Sequence, residues 1–269
     1  MLYVVASPIG NLEDITFRAV RILEEVDIVL CEDTRVTKKL LDHYNISKPL
    51  FRYIDDDSKQ NYYLEKIKSN DVALVSDAGT PLLSDPGYKL VKIAMDSGIK
   101  VSPIPGVSSL MTAISVTGKE INNFLFDGFF PRLNSDQKIL LSKLKFRSQD
   151  TFLFESPKRI NKTLKLLKDT LVHRTIFIFH ELTKLHEKII KIDLDKKKDF
   201  DFIDKGEYVI LVEGIETEKL YIDDEFTQYV KLEIEFMLQK GLSLKNATKI
   251  ISEIFDLPRK DIYNIWIDK

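Results

Sequence analysis

Four short segments combine glycine, proline and hydroxyl residues in a pattern that suits a binding site better than a packed core. They are Ser7-Pro8-Ile9-Gly10-Asn11; Ser76-Asp77-Ala78-Gly79-Thr80-Pro81 with Ser84-Asp85-Pro86-Gly87; Pro103-Ile104-Pro105-Gly106-Val107-Ser108-Ser109; and Glu155-Ser156-Pro157. Glycine is scarce, with ten in the chain, and Gly10, Gly79, Gly87, Gly106, Gly128 and Gly206 all fall beside expected strands. A residue without Cβ lets a backbone turn sharply and lets a ligand approach it closely. Ordinary turn chemistry accounts for any one of these glycines. Four such loops, each behind the carboxyl end of a strand, are expected to line one cleft at a domain boundary, where small-molecule sites tend to lie. Two charged clusters join them. Glu32-Asp33-Thr34-Arg35, with Lys38 one turn on, and Glu181-Leu182-Thr183-Lys184 both sit just past apolar runs. Carboxylates beside arginine are poor core residues and good site residues. A helix cap at Asp33 with a surface ion pair is the structural alternative.

Several chemistries lack their signatures. The chain has no G-x-G-x-x-G dinucleotide turn and no G-x-x-x-x-G-K-[ST] phosphate loop. It has no G-x-S-x-G nucleophile turn either. His43, His173, His180 and His186 have no cysteine or histidine partners at ligand spacing, except that His180 and His186 are near one another, so no metal is expected.

The elements that must carry these loops follow from the hydrophobic pattern. Residues 2–6, 28–31, 72–76 and 100–103 read as strands; 16–26, 34–44, 58–69, 87–97 and 106–116 read as helices. That alternation predicts a mostly parallel α/β domain over residues 1–118, with sites beyond the strands' carboxyl ends. After a hinge near residues 117–123, strands at 124–130, 151–154, 175–179, 186–192 and 207–213 and helices at 135–145 and 157–170 predict a second α/β domain with a mixed sheet, over 119–215. Residues 223–269 read as a helical extension. It resembles a nucleic-acid-binding helix pair in outline, although a packing appendage is the commoner reading.

The net charge is −2, but it is unevenly spread. Residues 131–214 hold 18 Lys and Arg against 13 Asp and Glu, a local excess suited to phosphate contacts or to a solvated helix face. A single cysteine, Cys31, excludes an internal disulfide, and with no export signal the cytosol is the expected compartment. No apolar run reaches the roughly 18 residues of a membrane span.

The ordered motifs carry a resemblance. Ala6-Ser7-Pro8-Ile9-Gly10-Asn11-Leu12, Glu32-Asp33-Thr34-Arg35 with Leu40-Leu41, Val75-Ser76-Asp77-Ala78-Gly79-Thr80-Pro81, Ser84-Asp85-Pro86-Gly87 and Pro103-Ile104-Pro105-Gly106 come first. Phe126-Asp127-Gly128-Phe129, Glu155-Ser156-Pro157, Glu181-Leu182-Thr183-Lys184 and Gly206-Glu207-Tyr208-Val209 follow. Together they resemble the ribosomal RNA small subunit methyltransferase I family, within the tetrapyrrole methylase superfamily. That family often has Thr in place of Ser7, Pro in place of Val107 and His in place of Lys158; none of these departures removes a group needed for chemistry.

The resemblance implies two α/β domains with S-adenosylmethionine between them, a homodimer, no metal and no membrane. It implies 2′-O-methylation of a cytidine in the decoding centre of 16S rRNA of the small ribosomal subunit. Such a transfer is an in-line displacement governed by positioning, helped by a base or cation at the ribose hydroxyl. On this reading Asp33, Glu155 and Glu181 are candidate bases. Arg35 and Lys184 hold phosphate or stabilise the oxyanion, with Asp33 and Arg35 the preferred pair. Pro8, Gly10, Asp77, Ala78, Gly79, Thr80, Pro81, Gly106, Ser108 and Ser109 hold the donor, with Phe154 and Leu182 as walls. Lys38, Arg132, Lys143, Arg147, Lys158, Arg159 and Lys162 face RNA. A tetrapyrrole (precorrin-type) C-methyltransferase and a non-catalytic RNA-binding assembly protein are the competing readings.

Overall fold

The structure, a computed structural model, describes residues 1–171, 173–215, 224–255 and 257–267. The expected start of the tail at Asp223, Asp256 within it and residues 268–269 lie outside them. The chain divides into two compact units. Met1–Gly118 with Phe179–Lys188 form the first, and Lys119–Ile178 with Ile189–Lys269 the second. The boundary expected at residues 118 and 119 does not anticipate the return of residues 179–188 to the first unit.

The first unit is built on five strands: β1 (Leu2–Val5), β2 (Ile28–Cys31), β3 (Leu50–Arg52), β4 (Val72–Val75) and β5 (Val101–Ile104). They form one sheet in the order β3-β2-β4-β1-β5, and every pair is parallel. Side chains alternate across a strand, so each strand feeds two cores. Val5, Val29, Ala73 and Val75 pack with Ala19 and Leu23 of α1 (Phe17–Glu25) and Leu41 of α2 (Thr34–His43). Leu2, Leu30, Val72 and Leu74 pack with Tyr63 and Ile67 of α3 (Gln60–Ser69) and Leu90 and Ala94 of α4 (Tyr88–Asp96). Strands covered on both faces are continuously apolar, as in this sheet. A fifth helix, α5 (Ser109–Ser115), follows β5.

Local sequence sets the helix starts. Thr16 caps α1 by accepting from the Ala19 amide, and Asp33 caps α2 by accepting from the Arg35 amide. The helix expected from residue 58 begins at Gln60, after a 3-10 turn capped by Asp56. The helix expected from residue 106 begins at Ser109, which leaves residues 105–108 outside the helix. β3 was not anticipated, because three half-exposed residues leave little hydrophobic signal.

A second sheet holds β6 (Phe124–Phe129), β7 (Asp150–Glu155), β8 (Thr175–His180), β9 (Lys188–Asp193) and β10 (Tyr208–Val212), in the order β6-β7-β10-β8-β9. The sheet is mixed: β6 runs parallel to β7 and β10 antiparallel to it. The register slips between Phe126 and Phe129, where Gly128 takes φ 70°. Helices α6 (Asn134–Phe146) and α7 (Ile160–Thr170) bury Leu140, Leu144, Leu164 and Leu167 against Leu153, Ile176 and Ile210. Three terminal helices, α8 (Asp224–Gln239), α9 (Leu244–Phe255) and α10 (Arg259–Ile267), close a separate core around Phe226, Ile251 and Ile262 into which Phe146 packs.

Arg174 ties α6 to this sheet. The residue is 4% exposed, and its guanidinium donates to the Leu144, Lys145 and Glu213 carbonyls. Those first two carbonyls belong to the last turn of α6, which the backbone alone leaves unpaired. Burial pulls the Arg174 pKa down to about 10, with Asp150 and Glu213 opposing the shift. Replacing it as Arg174→Met removes these donors at once and is expected to cost roughly 3 kcal/mol. Urea titration should show a lower midpoint; an unchanged midpoint would remove Arg174 from this role.

Candidate active site

The strand register aligns the ends of the first sheet. Val5 pairs with Val75 and Ile104, and Cys31 with Val75 and Arg52, so the following loops leave from one level. The neighbours β1 and β4 continue into α1 and α4, which cover opposite faces. Such a switch point is where open α/β sheets hold ligands. The two loops that leave it are stitched together. Ser7 and Gly79 exchange backbone bonds of 2.9 and 3.0 Å. The Ser7 hydroxyl donates to Ser76 O at 3.1 Å, and the Ser76 hydroxyl to Gly79 O at 3.2 Å. Gly79 takes φ 79°, which favours glycine, and an added Cβ would sit 3.2 Å from Ile9 Cγ2.

The loop after β5 joins the same cluster. Thr80 Oγ1 donates to Val107 O at 3.1 Å, and Thr16 Oγ1 to Pro105 O at 3.4 Å. Gly106 lies against Ala6, where a Cβ would come within 2.9 Å of the alanine methyl. Pro8 and Pro81 are buried, Ala78, Ser108 and Ser109 half-buried, and Thr80 exposed.

The loop after β2 brings the charges. Asp77 Oδ1 accepts from the Asp33 amide at 3.0 Å. The Asp33 carboxylate holds Arg35 through its amide at 2.8 Å and its guanidinium at 2.6 Å. Hydrogen bonds from Arg35 press the Asp33 carboxyl far below the usual range, while the Arg35 side chain remains 86% exposed. Asp77 shifts the other way: burial raises it, and the Asp33 charge adds to that. Glu32 is also raised, by burial first and then by Asp77. Lys38 pairs with Asp42 one turn along α2.

The returning segment packs on the first loop. Lys184 runs its aliphatic stem over Gly10, where any Cβ would overlap it, and its ammonium meets Glu181 at 2.7 Å. Glu181 and Thr183 take φ 55° and 65°, conformations that cost non-glycine residues energy and persist where surroundings impose them. Leu182 between them is buried. Thr183 Oγ1 is buried without a hydrogen-bond partner among the described residues.

The remaining expected residues lie in the second unit. The Phe154 ring packs edge-on to Phe126 and Phe129. Glu155 is fully buried and engaged: it accepts from the Ser156 amide at 2.6 Å, from Arg159 Nε at 2.9 Å and from Thr163. Arg159 is itself spent on Glu155 and on the Phe130 and Pro131 carbonyls. Arg147 pairs with Asp127. These bonds engage Glu155, Arg159 and Arg147 with neighbouring groups of the second unit. Arg132, Lys143, Lys158 and Lys162 are exposed.

Sequence reasoning passed over Ser7 and Ser76 as site residues, although it quoted both. It also passed over Asp55, whose carboxylate accepts from the Gly87 amide at 3.1 Å and from the Tyr53 hydroxyl. The missed strand β3 ends at Arg52, three residues before Asp55, so the useful signal was that strand.

Residues 1–197 match the model of the Tetrapyrrole (Corrin/Porphyrin) Methylases. The chain is 37% identical to ribosomal RNA small subunit methyltransferase I of Halalkalibacterium halodurans, over 98% of this chain and 94% of that one. It is 38% identical to the protein of the same name from Vibrio cholerae, over 98% and 93%. The chain belongs to the ribosomal RNA small subunit methyltransferase I family. This family lies within the tetrapyrrole methylases, and its members are methyltransferases that use S-adenosylmethionine. Solved structures agree on the fold. Diphthine synthase matches with TM-score 0.61 at 16% identity, covering 79% of this chain and 89% of that one. A cobalt precorrin-4 methyltransferase matches with TM-score 0.57 at 16% identity, covering 79% and 94%.

The methylase loops hold Asp77 at a cost to stability. A carboxyl raised on folding stabilises the fold below its unfolded value, near 3.8, and loses that contribution as pH climbs through the folded value. Asp77→Asn keeps an oxygen for the Asp33 amide and removes the buried charge. The variant should melt above the parent at pH 7. The gap should shrink as pH falls toward 4. A variant that melts lower at pH 7 would contradict this reading.

Proposed function

We propose that this chain, as a cytoplasmic homodimer, transfers a methyl group from S-adenosylmethionine to the ribose 2′-hydroxyl of a cytidine in the decoding centre of 16S rRNA. The observation that carries the reading is the stitched loop cluster, in a chain whose relatives are named ribosomal RNA small subunit methyltransferase I. The residues fit such a donor. Thr183 Oγ1 is a buried hydroxyl with no partner among the described residues, next to the apolar Leu182. The loops of Ser7, Gly79, Thr80, Gly106 and Ser108 offer hydroxyls and close backbone, and Asp77 a carboxylate. This donor set suits the polar edges of an adenosine and an amino-acid group.

In this assignment Pro8, Gly10, Asp77, Ala78, Gly79, Thr80, Pro81, Gly106, Ser108, Ser109 and Leu182 hold the donor. When bound, S-adenosylmethionine supplies a sulfonium methyl already activated for displacement. The protein's task is therefore alignment, which the hydrogen-bonded loops perform by fixing the approach. Arg35, whose guanidinium is oriented by Asp33 through Nε and Nη2 while its side chain stays largely exposed, binds an RNA phosphate or the developing oxyanion. Lys184, held by Glu181, supplies a second cation from the returning segment. Arg132, Lys143, Lys158 and Lys162 are exposed cations suited to RNA phosphates.

The test is mass-spectrometric mapping of ribose methylation in small ribosomal subunits from cells with and without this gene. One cytidine ribose should lose its methyl group when the gene is absent. An unchanged map, with methyl transfer to a precorrin substrate instead, would favour a tetrapyrrole methylase. Subunit binding without any S-adenosylmethionine binding would favour the assembly-protein reading. Arg35→Ala should lower methylation by about 100-fold or more while calorimetry shows S-adenosylmethionine affinity retained. Loss of that affinity would move Arg35 to the donor site.

A further inference from the structure

We infer that Glu32 is the residue that takes the proton from the ribose hydroxyl. This rests on the methyl-transfer reading above and supplies its missing group. Each other carboxylate considered for the task is already committed. Asp33 is clamped by Arg35, Glu181 by Lys184, and Glu155 by Arg159, Ser156 and Thr163. Asp77 accepts the Asp33 amide. Glu32 stands apart. It directly follows the last residue of β2, at the level from which the donor loops leave, and it is half-buried. Its carboxylate forms no hydrogen bond or ion pair with the described residues. A half-buried carboxylate without a partner is poised to accept one proton.

The surroundings suit that role. Burial disfavours the Glu32 charge, as do Asp77 from the loop after β4 and Asp33 at the cap of α2. Arg52, at the end of β3, favours the charge. The net effect raises the carboxyl above its ordinary value, which makes it a stronger base than a solvated glutamate. In the step, the ribose O–H bond breaks and its proton passes to a Glu32 oxygen. The freed oxygen pair forms the bond to the methyl carbon, and the S–CH3 bond breaks with its electrons left on sulfur. The products are a methyl ether and a neutral thioether, and Glu32 returns its proton to water.

The experiment compares the full chain, Glu32→Gln and Glu32→Asp with small ribosomal subunits and S-adenosylmethionine, across pH. The parent kcat should rise with pH along a limb above the ordinary carboxylate range. Glu32→Gln should lose about 100-fold in kcat and lose that limb, with KM for subunits and donor affinity changed by less than about 3-fold. Glu32→Asp, which keeps the carboxylate, should recover part of the rate and the limb. A Glu32→Gln protein that keeps the parent's kcat and limb overturns the inference alone. So does a Glu32→Asp protein as inactive as Gln, because a carboxylate would then not be what matters. A parent chain that methylates no ribose overturns the functional reading and this inference with it.

Discussion

Two backbone hydrogen bonds between Ser7 and Gly79 join the loops that leave the centre of the first sheet. Their strands, β1 and β4, are neighbours whose chains then depart over opposite faces, so the loops would otherwise diverge. The bridge holds them together, and the Ser7 and Ser76 hydroxyls fasten it from beneath. The other contacts build outward from this point. Thr80 draws in the loop after β5, Asp77 fixes the loop after β2, and Gly10 makes room for Lys184.

That arrangement explains why the charged residues behave so differently. Asp33 and Asp77 are linked through one amide, yet their carboxyls shift in opposite directions. Arg35 answers Asp33 directly, whereas Asp77 accepts a neutral amide in a half-buried place and also feels the Asp33 charge. Glu32 shares the second condition without even the amide. A site that holds carboxylates in this state gives up some stability for reactivity, a common trade at functional sites.

Much of this was legible in the sequence because local chemistry dictates it. The doubly covered strands read as continuous apolar runs, and scarce glycines marked the loops where Gly79 and Gly106 admit close approach. The Thr16 and Asp33 caps also follow from residue type. What escaped depends on contacts distant in sequence. Lys184 packs over Gly10 across most of the chain, and its loop bends at Glu181 and Thr183, where no glycine advertises a positive φ. β3 was too short to show a period. Glu155 reads as a candidate base and Arg159 as an RNA-facing cation; their ion pair, the Thr163 bond to Glu155 and the Arg159 bond to the Phe130 carbonyl appear only in three dimensions.

The most direct check on the loop cluster is hydrogen–deuterium exchange of the intact chain with and without S-adenosylmethionine. The account predicts that residues 7–10, 77–81, 106–109 and 181–184 slow their exchange together. Saturating donor that leaves these four segments unchanged, while slowing exchange elsewhere, would contradict it.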